Sequence, residues 1–357
     1  MRVALVHDYL NQRGGGERVF AHIARAYPDA PVYTALFDAR QTGDLVDPSR
    51  VHASYLARMP GANRFFRYLA PFYPRAFEAF DLSGYDTIVS STTAWAKGVI
   101  VPSGAVHVCY INTVSRFAFA YDQYVGTSLA RPLIARLVEW DKRAALRPTQ
   151  FVANSRNVAE RVKRYYGRES IVLHCPVDVD RFTIGPGAGG YFFIASRLLA
   201  YKRIDLAIRA SAMAGVPLLV AGTGPADASL SELARGTTTT MLGYVSDERM
   251  NDLLGSARAA ILPGEEDFGL VPLEAAACGR PSIAYRGGGA LETIVQGETG
   301  EFFDSQTPES LAGALRNFDE VQYDPHRLRA HAQTFSPDRF IARLQAIVDQ
   351  VRSGDRT

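Results

Sequence analysis

A chain of 357 residues exceeds the usual single-domain range, so two domains of roughly 150 to 200 residues each are expected. With 47% apolar and 21% charged residues and no low-complexity tract, the composition excludes a fibrous or disordered protein. A formal charge of +2 and a pI near 8.4 lack the concentrated basic face of a nucleic-acid binder, so no nucleic-acid partner is expected.

The N-terminus runs directly into "RVALVHDY", a buried-strand pattern with Asp8 where a signal peptide would carry a long apolar core. Short β-branched runs then alternate with amphipathic stretches through "GERVFAHIARAY", "APVYTALF", "DTIVSST", "VHVCYIN", "QFVANS" and "SIVLHCPV". That alternation predicts a parallel sheet with crossover helices. Within it, "SLARPLIARLVEWDKRAAL" places Leu133, Leu137 and Trp140 at helical spacing, and "RNVAERVKRYYG" stops on Gly167. The segment from Thr183 to Gly190 carries four glycines and a proline between two strand patterns and reads as an interdomain hinge. The alternation restarts beyond it with "YFFIAS", "RIDLAIRASAMAG", "PLLVAG", "MLGYVS", "AAILPG" and "PSIAY". Ser336 and Pro337 start a last helix with Phe340, Leu344 and Ile347 on one face. The expected class is α/β, with two doubly wound domains at residues 1–182 and 183–335 and a C-terminal helix at 336–357. No apolar run reaches the roughly 20 residues that span a bilayer. Cys109, Cys175 and Cys278 form no C-x-x-C pair and fit a reducing cytoplasm.

Chemistry concentrates in "LPGEEDFGLVPLEAAACGRPSIAY". Glu266 lies on a loop after a strand, and Glu274 falls in the first turn of the next helix, where unpaired N–H groups favour negative charge. The two carboxylates either hold two ends of one polar ligand or simply cap a helix. In "ASRLLAYKRIDLAI", Arg197 and Lys202 leave a strand and precede a helix, which puts two cations at the sheet's carboxyl edge. They suit a diphosphate, arginine as a fork and lysine as a point charge, or they cover the sheet edge. Gly14, Gly15 and Gly16 join the first strand to the first helix and could present N–H groups to a phosphate or form an ordinary turn. Asp178 and Asp180 have D-x-D spacing but follow a strand at the domain exit, and no metal is expected there. His7 and His107 sit in strand patterns and read as hydrogen-bonded core or edge residues. In residues 64–80, Arg64, Arg67 and Arg75 interleave with Phe65, Phe66, Tyr68, Phe72 and Tyr73, while Pro71 and Pro74 forbid one continuous helix. That mixture predicts either a peripheral contact with anionic membrane or a partly buried helical hairpin.

The segment from Glu266 to Glu274 resembles the E-x7-E signature of retaining family 4 glycosyltransferases (glycosyl transferases group 1). The resemblance covers nearly the whole chain. "FDLSGYDTIVSSTTAWAKGVI", "CYINTVSRFAFAYDQY", "FVANSRNVAERVKRYYG" and "HCPVDVDRF" are similar to bacterial O-antigen and exopolysaccharide mannosyltransferases. It implies the GT-B fold: two Rossmann-like domains facing across a cleft, the C-terminal helix crossing back to the first. By resemblance, Glu266 faces the donor sugar and Glu274 the nucleotide ribose. Arg197 and Lys202 neutralise the leaving diphosphate in place of a metal, with no cofactor. The amides of Phe268, Gly269 and Leu270 meet sugar and phosphates, Gly15 and Gly16 face the diphosphate, and the base lies near Gly243, Tyr244 and Val245. Asp8, Thr93, Asn112 and Arg116 fall where donor sugar and acceptor meet. Thr93 and Asn112-Thr113-Val114 replace the subgroup's usual histidine-containing motifs there.

The resemblance implies a metal-independent, retaining hexosyltransferase that takes a nucleoside diphosphate sugar, GDP-mannose first, to a glycan or lipid-linked acceptor. Surface polysaccharide or glycolipid synthesis is the expected setting, in the cytoplasm or peripheral to the inner face of the plasma membrane. Two rivals are a nucleotide-sugar-binding protein without transfer and a non-transferase GT-B enzyme such as an epimerase. A nicotinamide oxidoreductase fits least, because the glycine loop lacks the G-x-G-x-x-G fingerprint.

Overall fold

The computed structural model describes residues 1–115, 131–187 and 189–354, and the chain divides into two compact units. The first comprises Met1–Cys175 and Asp338–Thr357, the second Pro176–Pro337.

The first unit is built on a seven-stranded sheet in the order β3-β2-β1-β4-β5-β6-β7. Its strands are β1 Val3–His7, β2 Val32–Thr34, β3 Val51–Ala53, β4 Thr87–Thr92, β5 Val106–Ile111, β6 Gln150–Ala153 and β7 Ser170–Val172. All pairs are parallel, with Leu5 opposite Val89 and His7 opposite Ser91. A parallel sheet covered on both faces needs continuous apolar strands, and every residue of β1 and β4 is buried. Helix Gly15–Ala26 buries Val19, Phe20 and Ile23. Helix Arg156–Tyr166 begins where Ser155 Oγ accepts from Val158 N at 3.0 Å and ends at Gly167, whose φ of 64° closes the last turn. Helix Arg131–Ala144 buries Ile134, Leu137 and Trp140, and Leu133 is 42% exposed. The apolar face is therefore set one residue later at its start than the spacing of Leu133 suggests. The final helix, Pro337–Ser353, belongs to this unit from Asp338 onward. It buries Phe340, Leu344 and Ile347, sets the Phe340 ring edge-on to Tyr110 at 5.5 Å, and sends Gln345 Nε2 to the Ala26 carbonyl at 2.8 Å.

The second unit has six parallel strands in the order β10-β9-β8-β11-β12-β13. They are β8 Phe192–Ala195, β9 Leu218–Ala221, β10 Thr239–Gly243, β11 Ala259–Leu262, β12 Ser282–Tyr285 and β13 Gly300–Phe303. The unit runs from Pro176, and Gly185, Gly187 and Gly189 of the glycine-rich segment bond within it. Gly185 N donates to Cys278 O at 3.1 Å, Gly187 N to Gly255 O at 3.0 Å, and Gly189 N to Ser256 O at 2.8 Å. A Cβ on Gly185 would stand 2.3 Å from the Gly255 backbone, so glycine serves close packing here.

Candidate functional site

Open α/β sheets bind ligands at the carboxyl ends of the strands where the strand order reverses. In the second unit that point lies between β8 and β11. The chain leaving β8 carries Arg197 and Lys202, and the chain leaving β11 carries Glu266. Lys202 ends a tight turn, Ala200–Lys202, ahead of Arg203, the one non-glycine residue with positive φ (52°) among the described residues. A left-handed residue with a side chain costs on the order of 1 kcal/mol, a strain carried beside this edge.

Lys202 Nζ donates to Glu266 Oε1, with the two side chains 17% and 18% exposed. Two features hold the pair. A Cβ on Gly264 would stand 2.6 Å from the Tyr201 carbonyl oxygen and 2.9 Å from Lys202 Cα, so only glycine lets the Glu266 loop pass this close. From the other side, Gly289 N donates to the Glu266 carbonyl at 2.9 Å. Arg197 is exposed and makes no ion pair among the described residues. Its neighbours are fixed: Leu198 N donates to Thr223 O at 3.0 Å and Ala226 N to Leu198 O at 3.1 Å. Sequence reasoning passed over this Gly222–Gly224 turn, although "AGTGP" after a strand is the signal that could have found it.

Glu274 lies half-buried in the first turn of helix Val271–Ala277. The Phe268 ring is core, 3% exposed and 6.1 Å from Phe335. Gly269 has φ 85°, and its N–H and that of Leu270 meet no protein acceptor among the described residues. Gly243 ends β10 at a register shift and accepts from Gly222 N at 2.7 Å, Tyr244 is 82% exposed, and Val245 is half-buried.

In the first unit the order reverses between β1 and β4, where Asp8 is 2% exposed. Its Oδ1 accepts from Thr92 Oγ1 (2.9 Å), Trp95 N (2.9 Å) and Ala96 N (2.7 Å). Its Oδ2 accepts from Thr93 N (2.6 Å), Thr93 Oγ1 (2.8 Å) and Ala94 N (2.9 Å). Asp8 thus anchors the turn after β4, and Thr93 is one of its donors. Asn112, 9% exposed, donates from Nδ2 to Ser91 Oγ at 3.1 Å and accepts Asn154 Nδ2 at 2.9 Å on its carbonyl. Arg116 lies outside the described residues. Gly15 and Gly16 open the first helix, where the buried Glu17 already places a carboxylate in the first turn, bonded by Gln12 Nε2 at 3.1 Å. That acid offsets part of the positive potential the glycine loop would offer an anion.

Both strand histidines are core. His7 stacks on Phe20 at 4.4 Å, and burial lowers its pKa. His107 bonds Ser90 Oγ at 2.7 Å, and burial pushes its pKa down to about 3. The same unit holds a buried ion pair, Lys97 with Asp141, each 1% exposed, with Ser115 Oγ and Tyr166 OH also donating to Asp141. Burial opposes the Lys97 charge, but Asp141 and Tyr166 hold its pKa above the ordinary lysine value.

Asp178 precedes and Asp180 lies within the turn Val179–Arg181, and the described residues contain no cluster of three metal-ligating side chains. No helix among them is long and apolar enough to cross a membrane.

A family model described as Glycosyl transferases group 1 matches residues 181–335, and one described as Glycosyltransferase Family 4 matches residues 13–181. A GDP-mannose-dependent alpha-(1-6)-phosphatidylinositol dimannoside mannosyltransferase of Mycobacterium tuberculosis is 36% identical over 173 residues, 44% of this chain and 45% of that protein. The chain spans about half the length of the curated relatives it matches. Sucrose-phosphate synthase from Thermosynechococcus elongatus superposes with a TM-score of 0.75 at 18% identity, over 99% of each chain. The Anabaena protein HepE, in complex with UDP and glucose, gives 0.72 at 18% identity, over 98% of this chain and 100% of that one.

Proposed function

Because the chain belongs to the family 4 glycosyltransferases of the GT-B fold, we propose that it moves a hexose from a nucleoside diphosphate sugar to a glycan or lipid-linked acceptor. The observation that carries this reading is the Lys202–Glu266 pair at the strand-order reversal of the second unit, with exposed Arg197 on the same strand exit.

Transfer breaks the bond between the anomeric carbon and a diphosphate oxygen, which leaves with the electron pair. Lys202 and Arg197 stabilise the charge that grows there, doing with side chains what a divalent metal does elsewhere. Glu266 takes the donor sugar and Glu274 the ribose hydroxyls. The N–H groups of Gly269 and Leu270, which meet no protein acceptor among the described residues, suit phosphate oxygens. Attack from the same face, with the departing phosphate accepting the acceptor's proton, gives retention without a covalent carboxylate intermediate. GDP-mannose is the first-choice donor, supported by the name of the mycobacterial relative, and UDP-sugars are second, supported by the ligands of HepE. The setting is surface polysaccharide or glycolipid synthesis at the inner face of the plasma membrane.

A thermal-shift screen of GDP, UDP, GDP-mannose and UDP-glucose tests the reading. The matching nucleotide at about 100 times its Kd adds roughly 2.7 kcal/mol to the stability of the unit that binds it. Acceptor-dependent release of nucleotide should follow in the presence of chelator. If no nucleoside diphosphate raises Tm and none is released, the proposed activity fails.

A further inference from the structure

From Pro48 to Phe77 the chain holds five arginines and no aspartate, glutamate or lysine, in a protein whose net charge is only +2. Arg50 is used inside the unit, donating to the carbonyls of Ala30 and Tyr27. Arg58, Arg64, Arg67 and Arg75 are exposed. Among them stand aromatic side chains that a core would normally take in: Tyr68 is 81% exposed, Phe72 52% and Phe65 50%.

The surface is a held platform. The same segment buries Leu56, Ala62, Leu69, Tyr73 and Phe77 in one apolar cluster, and Tyr73 OH donates to the Phe66 carbonyl at 2.6 Å. A tight helix, Phe66–Phe72, contains Pro71 and leads directly into helix Tyr73–Glu78, so its outward rings are fixed by inward ones. Guanidinium groups lie over ring faces, Arg64 over Phe65 at 5.4 Å and Arg67 over Phe66 at 5.2 Å. Residues Arg64 to Tyr68 line a surface hollow of about 340 Å³.

We propose that this platform docks the enzyme on a membrane surface rich in anionic phospholipid. Amphipathic rings settle at headgroup depth, and arginines pair with lipid phosphates and feel the negative surface potential. One sign of charge across the whole segment matches a plane of phosphates. The purpose rests on the lipid-linked acceptor proposed above, whereas the docking stands on this surface alone.

The test is co-sedimentation of the full chain with phosphatidylcholine vesicles, with and without phosphatidylglycerol. The wild type should partition only onto the anionic vesicles and be released by salt. At about fivefold per arginine, Arg64→Glu/Arg67→Glu/Arg75→Glu should lower partitioning at least about 100-fold. Tyr68→Ser/Phe72→Ser, which leaves every charge in place, should lower it about tenfold. An unchanged urea midpoint read from the fluorescence of Trp95 and Trp140, which belong to the same unit as the substitutions, shows that each variant is folded. Docking is overturned if the wild type stays in solution, if the triple variant binds like it, or if the serine variant does, which would mark a site for soluble polyanions. Nucleotide binding without vesicle binding overturns docking alone, and vesicle binding with no nucleotide effect overturns the transferase reading alone.

Discussion

The two units share a strand order and use its reversal in opposite ways. At the end of β1, Asp8 meets six donors from Thr92 to Ala96, so both carboxylate oxygens are saturated by their own chain. At the end of β8, Arg197 is exposed and Lys202 pairs with Glu266, the two side chains less than a fifth exposed. One edge is closed upon itself, and the other leaves the Arg197 guanidinium exposed. The difference is local chemistry. Four successive N–H groups converge on Asp8, whereas Gly264 only brings two side chains within reach of each other.

The sharpest way to break the comparison is to open the closed edge. Asp8→Ala strands the N–H groups of Thr93, Ala94, Trp95 and Ala96 in a buried turn, each costing about 1 to 3 kcal/mol before relaxation. A loss on the order of 5 kcal/mol is expected in the first unit. Both tryptophans, Trp95 and Trp140, belong to that unit, their rings 5.7 Å apart, so urea unfolding followed by tryptophan fluorescence reads it selectively. Nucleotide affinity, assigned to the second unit, should stay put. A loss below about 1 kcal/mol would show that Asp8 is no clamp.

At the open edge the effect should fall on turnover. Lys202→Ala is expected to lower kcat by roughly 100- to 1000-fold, the range seen when one preorganised group at a developing charge is removed. Arg197→Ala, more exposed, should cost roughly tenfold. Arg197→Ala should change stability by less than about 1 kcal/mol because the side chain is exposed, whereas Lys202→Ala should cost about 1 to 3 kcal/mol, because it takes the paired cation from a Glu266 side chain only 18% exposed. Steady-state transfer assays and melting curves decide it; full turnover in both variants moves the diphosphate site elsewhere.

Much of this was legible in the residues. Alternating strand and helix patterns reveal two parallel-sheet units, and Gly167 marks a helix end because a left-handed cap wants glycine. Lys202 and Glu266 stand out through motif and context. Their mutual contact does not, since it depends on strand order and on Gly264 approaching a backbone 62 to 63 residues away. The Asp8 clamp is invisible for a related reason, because its donors are mainly backbone N–H groups that every residue type except proline carries. At Gly185, Gly187 and Gly189 composition alone does not separate a hinge from close packing, because flexibility and close approach call for the same residue. Leu133 misled by one position, as Leu and Ile are equally apolar and only packing chooses Ile134.

The smallest expected effect is the most discriminating. Glu266 pairs with Lys202, so a diphosphate that binds there must compete with a carboxylate for that cation. Glu266→Gln keeps size and removes the competing charge. Nucleoside diphosphate without sugar should then bind about two- to fivefold tighter, roughly 0.4 to 1 kcal/mol. The intact nucleotide sugar should gain nothing, because its hexose loses the Glu266 contact, and turnover should fall. Calorimetric titration with both ligands separates the roles. Weaker binding of the bare diphosphate would mean that Glu266 positions Lys202 for phosphate rather than competing for it, and the open edge would then be as preorganised as the closed one.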